Sequence, residues 1–180
     1  MTVMGFLVYP AGYLSNGGVL DIGLKCAHSC KFCYYSYMDG KDTQFSGMRK
    51  ADFRSIDFID EILNNLSADG FSHIDLTGGE PTFHPDICEI ISRAEEKYNL
   101  RTRIITLGQY LMKRGWSDAP ENQLLVDALI DRGLTNLLLS THAVDESLFK
   151  KITGESFSRL DSLFLYLTKI DFYHSSNTTV

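Results

Sequence analysis

No stretch of this sequence approaches the roughly 18 uncharged apolar residues of a membrane-spanning helix, so no membrane span is expected. The opening residues MTVMGFLVYP carry no basic stretch ahead of their apolar run, and Pro10 cuts that run short, so neither a signal peptide nor an anchor is expected there. Basic charge is equally thin. The 17 Lys and Arg are outnumbered by 23 Asp and Glu and are scattered along the chain, leaving a net charge of −6 and no field to hold a phosphate backbone. Nucleic acid is therefore not the expected partner. Cysteine numbers only four. A cytoplasmic chain is expected, in which thiols stay reduced and clustered cysteines more often hold metal than form disulfides.

What is present is ample apolar substance in a repeating order. At 180 residues and 44% hydrophobic composition the chain can bury a substantial core, and one domain over 1–180 is expected. Strand signals and helical stripes alternate. GVLDIGL (18–24) reads as the first strand, and FRSIDFIDEILNNLSADG (53–70) spaces Ile56, Ile59, Leu63 and Leu66 as a helix does, with Gly70 as its stop. HIDLT (73–77) is the second strand, and Asp86 opens a helix carrying Ile87, Ile90, Ile91 and Ala94. The β-branched TRIITL (102–107) is the third. A stripe of Leu124, Leu125, Ala128 and Leu129 ends at Gly133, NLLLS (136–140) follows as the fourth strand, Arg159 to Leu167 is a helix, and FYHSSNTTV reads as a fifth strand. Such alternation argues for an α/β fold, with parallel strands and helices outside, either doubly wound or bent into a barrel. Asp21, His73, Asp75, Thr77, Ser140, Ser175 and Asn177 fall at alternating strand positions, which suits either one face lining a polar cavity or a few hydrogen-bonded polar groups inside a core.

Three of the four cysteines lie within CAHSCKFC, residues 26–33, directly after the first strand signal. The carboxyl end of a strand is where parallel α/β folds place their active sites. Closely spaced thiols on one loop suit an iron-sulfur cluster. A structural zinc site would need a fourth ligand at closed tetrahedral geometry. His28 lies within the loop and is too constrained to complete that site comfortably, while Cys88 falls in a helical stripe and reads as a small buried hydrophobe. If neither serves, a cluster held by three thiolates keeps one iron for something that is not protein.

The loop CAHSCKFC resembles the C-x3-C-x-aromatic-C loop of the radical S-adenosylmethionine (radical SAM) superfamily, with Phe32 in the aromatic slot. A second segment, LTGGEPTFHPD (76–86), resembles the Gly-Gly-Glu-Pro motif of the same family and follows in the expected order. The resemblance implies Cys26, Cys30 and Cys33 as ligands of a 4Fe-4S cluster, and S-adenosyl-L-methionine bound through its amino and carboxylate groups at the open iron. It implies cofactor contacts for Phe32, Gly78, Gly79, Glu80 and Ser140. Gly78 and Gly79 remove side chains where backbone approaches a ligand, Glu80 supplies a carboxylate to the ammonium, and Pro81 fixes the turn. Leu107 departs from the family pattern after the third strand, so no role is carried to it.

Looser expectations surround these. His142 caps the next turn in preference to facing substrate, Asn177 is a weak candidate to line the cavity, and Tyr34, Tyr35 and Tyr37 pack over the loop or touch substrate. No catalytic residue is implied beyond the cluster and cofactor site. The implied fold is a partial (β/α)6 TIM-like barrel, truncated after about the fifth strand, so that residues 1–180 form an incomplete core domain. The implied activity is reductive cleavage of S-adenosylmethionine to a 5′-deoxyadenosyl radical that abstracts hydrogen from an unidentified peptide or small-molecule substrate. An electron donor such as a flavodoxin or ferredoxin would supply the cluster. The rival reading is a noncatalytic metal-binding module, or a degenerate fragment.

Overall fold

The computed structural model describes residues 16–35 and 50–177. The opening MTVMGFLVYP, Tyr37 and the last three residues of the expected fifth strand lie outside them.

Five strands form one parallel sheet: β1 (Gly17–Asp21), β2 (His73–Thr77), β3 (Arg101–Thr106), β4 (Leu134–Ser140) and β5 (His174–Asn177). Their spatial order is their chain order, β1-β2-β3-β4-β5. A doubly wound sheet reverses direction at a switch point. Here the chain steps one way throughout, and right-handed crossovers then lay every helix on the same side, as in a barrel wall. The α/β class expected from sequence holds, and the sequential order selects the barrel-type branch.

The helices are α1 (Ile56–Ala68), α2 (Ile87–Ser92, continued by a π turn over Arg93–Lys97), α3 (Leu125–Asp131), α4 (Glu146–Thr153) and α5 (Phe157–Lys169). Their stripes and one face of the sheet make a single core. Leu20, Ile74, Leu76, Ile104, Leu137 and Leu139 from the strands meet Ile59 and Leu63, Ile87 and Ile90, Leu125 and Leu129, and Leu160 and Leu163 from the helices. Each such side chain, fully removed from water, stabilises the fold by about 1.5–3 kcal/mol before entropy is charged against it. Ser55 caps α1, its Oγ accepting from Phe58 N at 3.3 Å.

The helix at Ile87 is opened differently from the sequence expectation. Asp86 makes no side-chain cap there. Asp118, from the loop after β3, accepts from Cys88 N and Glu89 N, each at 2.9 Å. A second departure is α4, which falls between the expected fourth strand and the expected helix at Arg159, where no element is expected from sequence; Asp145 caps it through Leu148 N at 2.8 Å, and Gly154 (φ 80°) ends it in the left-handed conformation.

The other sheet face carries the polar alternation. Register places Val19, Asp75, Arg103 and Asn136 in one row, and Ile105, Leu138 and Ser175 in another. Asp75 is buried and paired with Arg103, whose Nε donates to Oδ1 at 2.8 Å and whose Nη2 donates to Oδ2. Asp21, Thr77, Ser140 and Asn177 stand at the carboxyl ends of their strands. Among the described residues no helix is long and apolar enough to cross a membrane.

Candidate cluster and cofactor site at the strand ends

The cysteine loop is held between two walls. On the β2 side, Ile22 N donates to Thr77 O (3.1 Å), Gly79 N to Gly23 O (2.9 Å) and Glu80 N to Lys25 O (3.1 Å). Backbone packs on backbone here. A Cβ on Gly78 (φ 133°) would stand 2.1 Å from Gly23 O, and one on Gly79 would stand 2.4 Å from both Leu24 O and Lys25 O. The two glycines are therefore required by the approach of the cysteine loop's own lead-in, a demand the sequence reading had given to a ligand alone.

On the other side, Ser29 N donates to Thr153 O (3.2 Å) and Lys31 N to Ile152 O (2.9 Å). These are carbonyls from the last turn of α4, which have no intrahelical donor, so the loop satisfies them. Gly154 allows the approach, since a Cβ on it would lie 2.1 Å from Ser29 Oγ.

His28 spans both walls with its side chain. Its Nδ1 lies 2.9 Å from Glu155 Oε1 and its Nε2 3.4 Å from Glu80 Oε2. Burial pushes the imidazole pKa down, but the Glu80 and Glu155 carboxylates outweigh it and hold it above its ordinary value. From sequence His28 is weighed only as a metal ligand and set aside as too constrained, which leaves these contacts unforeseen.

Glu80 is 1% exposed. Its Oε1 accepts from Thr82 N (3.2 Å), Thr82 Oγ1 (2.7 Å) and Thr106 Oγ1 (2.6 Å), while Oε2 accepts from Leu107 N (3.1 Å) and faces His28. Burial pushes the carboxyl up, yet His28 and the Thr106 and Thr82 hydroxyls prevail and keep its pKa below the usual value. Leu107, set aside from sequence, thus contributes through its backbone.

The residues that the resemblance assigns to the cluster and the cofactor line one cavity of about 340 Å³: Cys26, Cys30, Cys33, Phe32, Gly78, Gly79, Glu80 and Ser140. His142 lines it too, its ring 4.1 Å from that of Phe32, centroid to centroid, and Asp145 rather than His142 caps the turn that follows. Tyr34 and Tyr35 are also in the wall, the Tyr35 hydroxyl lying 3.1 Å from each carboxylate oxygen of Asp21. Asn177 is not part of the lining.

Among the described residues no three His, Cys, Asp or Glu side chains converge closely enough to hold a single ion. A mononuclear zinc site draws its sulfurs to about 2.3 Å from one centre, whereas a cluster lets each thiolate reach its own iron. Three thiols ringing one cavity fit the cluster. Cys88 stays apart in the core, with burial and Asp118 pushing its thiol up to about 12, where it remains protonated and inert.

Comparison with known proteins agrees. A family model described as the Radical SAM superfamily matches residues 20–180. A GTP 3′,8-cyclase of Edwardsiella ictaluri is 34% identical over 133 residues, covering 73% of this chain and 37% of that protein. A probable GTP 3′,8-cyclase of Sulfolobus acidocaldarius is 30% identical over 135 residues, covering 74% and 38%. This chain thus spans less than half the length of these curated relatives. Streptococcus suis SuiB bound to precursor peptide SuiA shares the fold at a TM-score of 0.65 and 19% identity, over 89% of this chain and 32% of that one. SuiB bound to S-adenosylmethionine matches at a TM-score of 0.63. With the family match running from the end of β1 through β5, and both motifs facing one cavity at the strand ends, the chain belongs to the radical SAM superfamily.

Proposed function

We propose that this chain carries the cluster and cofactor site of a radical enzyme. Membership of the superfamily implies an iron-sulfur cluster and S-adenosylmethionine; in this reading the cluster is of the 4Fe-4S type, and Cys26, Cys30 and Cys33 hold it. The observation that carries the reading is the convergence of those three thiols with Gly78, Gly79 and Glu80 on one cavity. Bound together, the two groups supply reductive cleavage of the cofactor to a 5′-deoxyadenosyl radical that takes hydrogen from a substrate.

The chain's own residues bind, orient and exclude water. Glu80 Oε1 accepts three hydrogen bonds from Thr82 and Thr106, whereas Oε2 accepts one, from Leu107 N, and stands 3.4 Å from His28 Nε2, so Oε2, facing the cysteine loop, is the oxygen with capacity left for the cofactor's ammonium. Ser140, ending β4 in the same wall, suits the ribose or carboxylate, and Phe32 with His142 forms an aromatic side to the cavity. An electron donor of flavodoxin or ferredoxin type serves the cluster. The relatives named GTP 3′,8-cyclase make a nucleotide the first substrate to try, and the precursor peptide bound by SuiB makes a peptide the second. The superfamily match disfavours a purely structural zinc module.

The test is anaerobic reconstitution with iron and sulfide, followed by a search for 5′-deoxyadenosine in the presence of a strong reductant. The chain should turn brown and load close to a 4Fe-4S complement, and Cys26→Ala, Cys30→Ala or Cys33→Ala should each abolish loading. A colourless protein that takes up zinc instead would refute the reading.

A further inference from the structure

The cysteine loop contributes more than thiols. His28 sits between Cys26 and Cys30, 4% exposed, with its ring 5.9 Å from those of Phe83 and Tyr110, which are themselves 4.5 Å apart. Phe83 and Tyr110 both pack on Trp116, whose indole N–H donates to Thr82 O at 2.7 Å. The imidazole is therefore walled in by aromatic rings fixed to the Glu80 turn, and its two nitrogens are left aimed at two carboxylates, Nδ1 at Glu155 and Nε2 at Glu80 Oε2. Backbone pairs alone would tie the loop to each wall; the imidazole adds a contact at the one Glu80 oxygen that the Thr82 and Thr106 hydroxyls leave unclaimed.

We infer that His28 is a positioning residue for Glu80, fixing the direction of Oε2 and so coupling the cofactor's ammonium seat to the loop that carries the cluster. The inference rests on the reading of Glu80 given above. The geometry separates two jobs within one ring: Nδ1 staples the loop to the segment after α4, while Nε2 orients the carboxylate. An asparagine places its amide nitrogen near the Nδ1 position, and a glutamine near the Nε2 position, so the two substitutions keep different halves of the contact.

The experiment measures iron content, thermal midpoint and S-adenosylmethionine affinity, by anaerobic equilibrium dialysis, for the reconstituted wild type, His28→Gln, His28→Asn and His28→Ala. All four should load iron equally, because the three cysteines are retained. His28→Gln should bind within about threefold of wild type, while His28→Asn and His28→Ala should bind roughly tenfold or more weakly, the loss expected for a contact to a charged group. In a Glu80→Gln background, His28→Asn should add no further loss, as coupled partners behave in a double-mutant cycle. The inference is overturned if His28→Asn binds as tightly as His28→Gln or more so, which would leave only a staple to Glu155. It is equally overturned if affinity and iron content fall in parallel, which would make His28 a folding element of the loop. A wild type that loads iron but binds no cofactor would instead bring down the Glu80 reading itself, and this inference with it.

Discussion

Replacing Glu80 by glutamine tests the most heavily bonded side chain in the site. In the wild type, Oε1 accepts from Thr82 N and from the Thr82 and Thr106 hydroxyls, and Oε2 accepts from Leu107 N. A glutamine has one acceptor oxygen. Whichever way its amide turns, an NH2 group faces Leu107 N or Thr82 N, and a buried backbone donor is left without an acceptor at about 1–3 kcal/mol. The hydroxyl bonds also weaken from charge-assisted to neutral, adding about 1 kcal/mol. The expected loss is roughly 2–4 kcal/mol, or about 4–16 °C in Tm for a chain of this size. Calorimetry or urea unfolding of the full 180-residue chain under reducing conditions reads it. The depressed Glu80 carboxyl has a further signature: its stabilisation is fully present above the unfolded carboxylate pKa of about 4.3 and is lost as pH falls through the lower folded value. Wild-type stability should therefore decline more steeply than that of Glu80→Gln in this acid range. A destabilisation below about 0.5 kcal/mol, or identical acid limbs, would refute the network.

Four further substitutions probe the frame around it. Asp118→Ala removes the acceptor of Cys88 N and Glu89 N and should lower stability by about 1–2 kcal/mol in urea unfolding, whereas Asp86→Ala should change it far less. Gly79→Ala drives a Cβ to 2.4 Å from two backbone carbonyls, so loss of more than about 3 kcal/mol and failure of iron loading are expected together. Cys88→Ala, deep in the core, should cost on the order of 1 kcal/mol while iron content measured by atomic absorption stays at the wild-type level.

Much of the frame was legible because its signals are local. HIDLT has the bounds that β2 occupies, and of the residues at helical spacing Ile59, Leu63, Leu66, Ile87, Ile90, Ile91 and Ala94 are buried, with Ile56 half-buried at the start of its stripe. The alternating polar residues were likewise legible, since a period of two assigns a face without any knowledge of partners. What escaped was non-local. The cap of α2 comes from Asp118, on the loop beyond the next strand, and periodicity at Asp86 says nothing of it. The short α4 carries usable marks, Asp145 ahead of Leu148, Phe149 and Ile152, with Gly154 behind, but at eight residues its apolar stripe is too brief to stand out from a loop. His28 was judged by what it could ligate within its own loop, whereas its partners lie on β2's exit and after α4. Gly78 and Gly79 were recognised as places of close approach, and the partner that approaches is the chain itself.

The two-walled seat of the cysteine loop also has a meaning in time. A chain leaving the ribosome presents Cys26, Cys30 and Cys33 early, and the wall formed by Gly79 and Glu80 follows once β2 has paired with β1. The second wall waits much longer: Glu155 lies 127 residues beyond His28, and the carbonyls of Ile152 and Thr153 come with it. Until α4 has been synthesised and folded, the thiols hang on a loop anchored along one side. Metal delivered before that moment meets three mobile sulfurs without a shaped cavity, and metal delivered after it meets a finished one. The seat of the cysteine loop is thus completed late in the chain, by a helix 120 residues and more beyond the first cysteine.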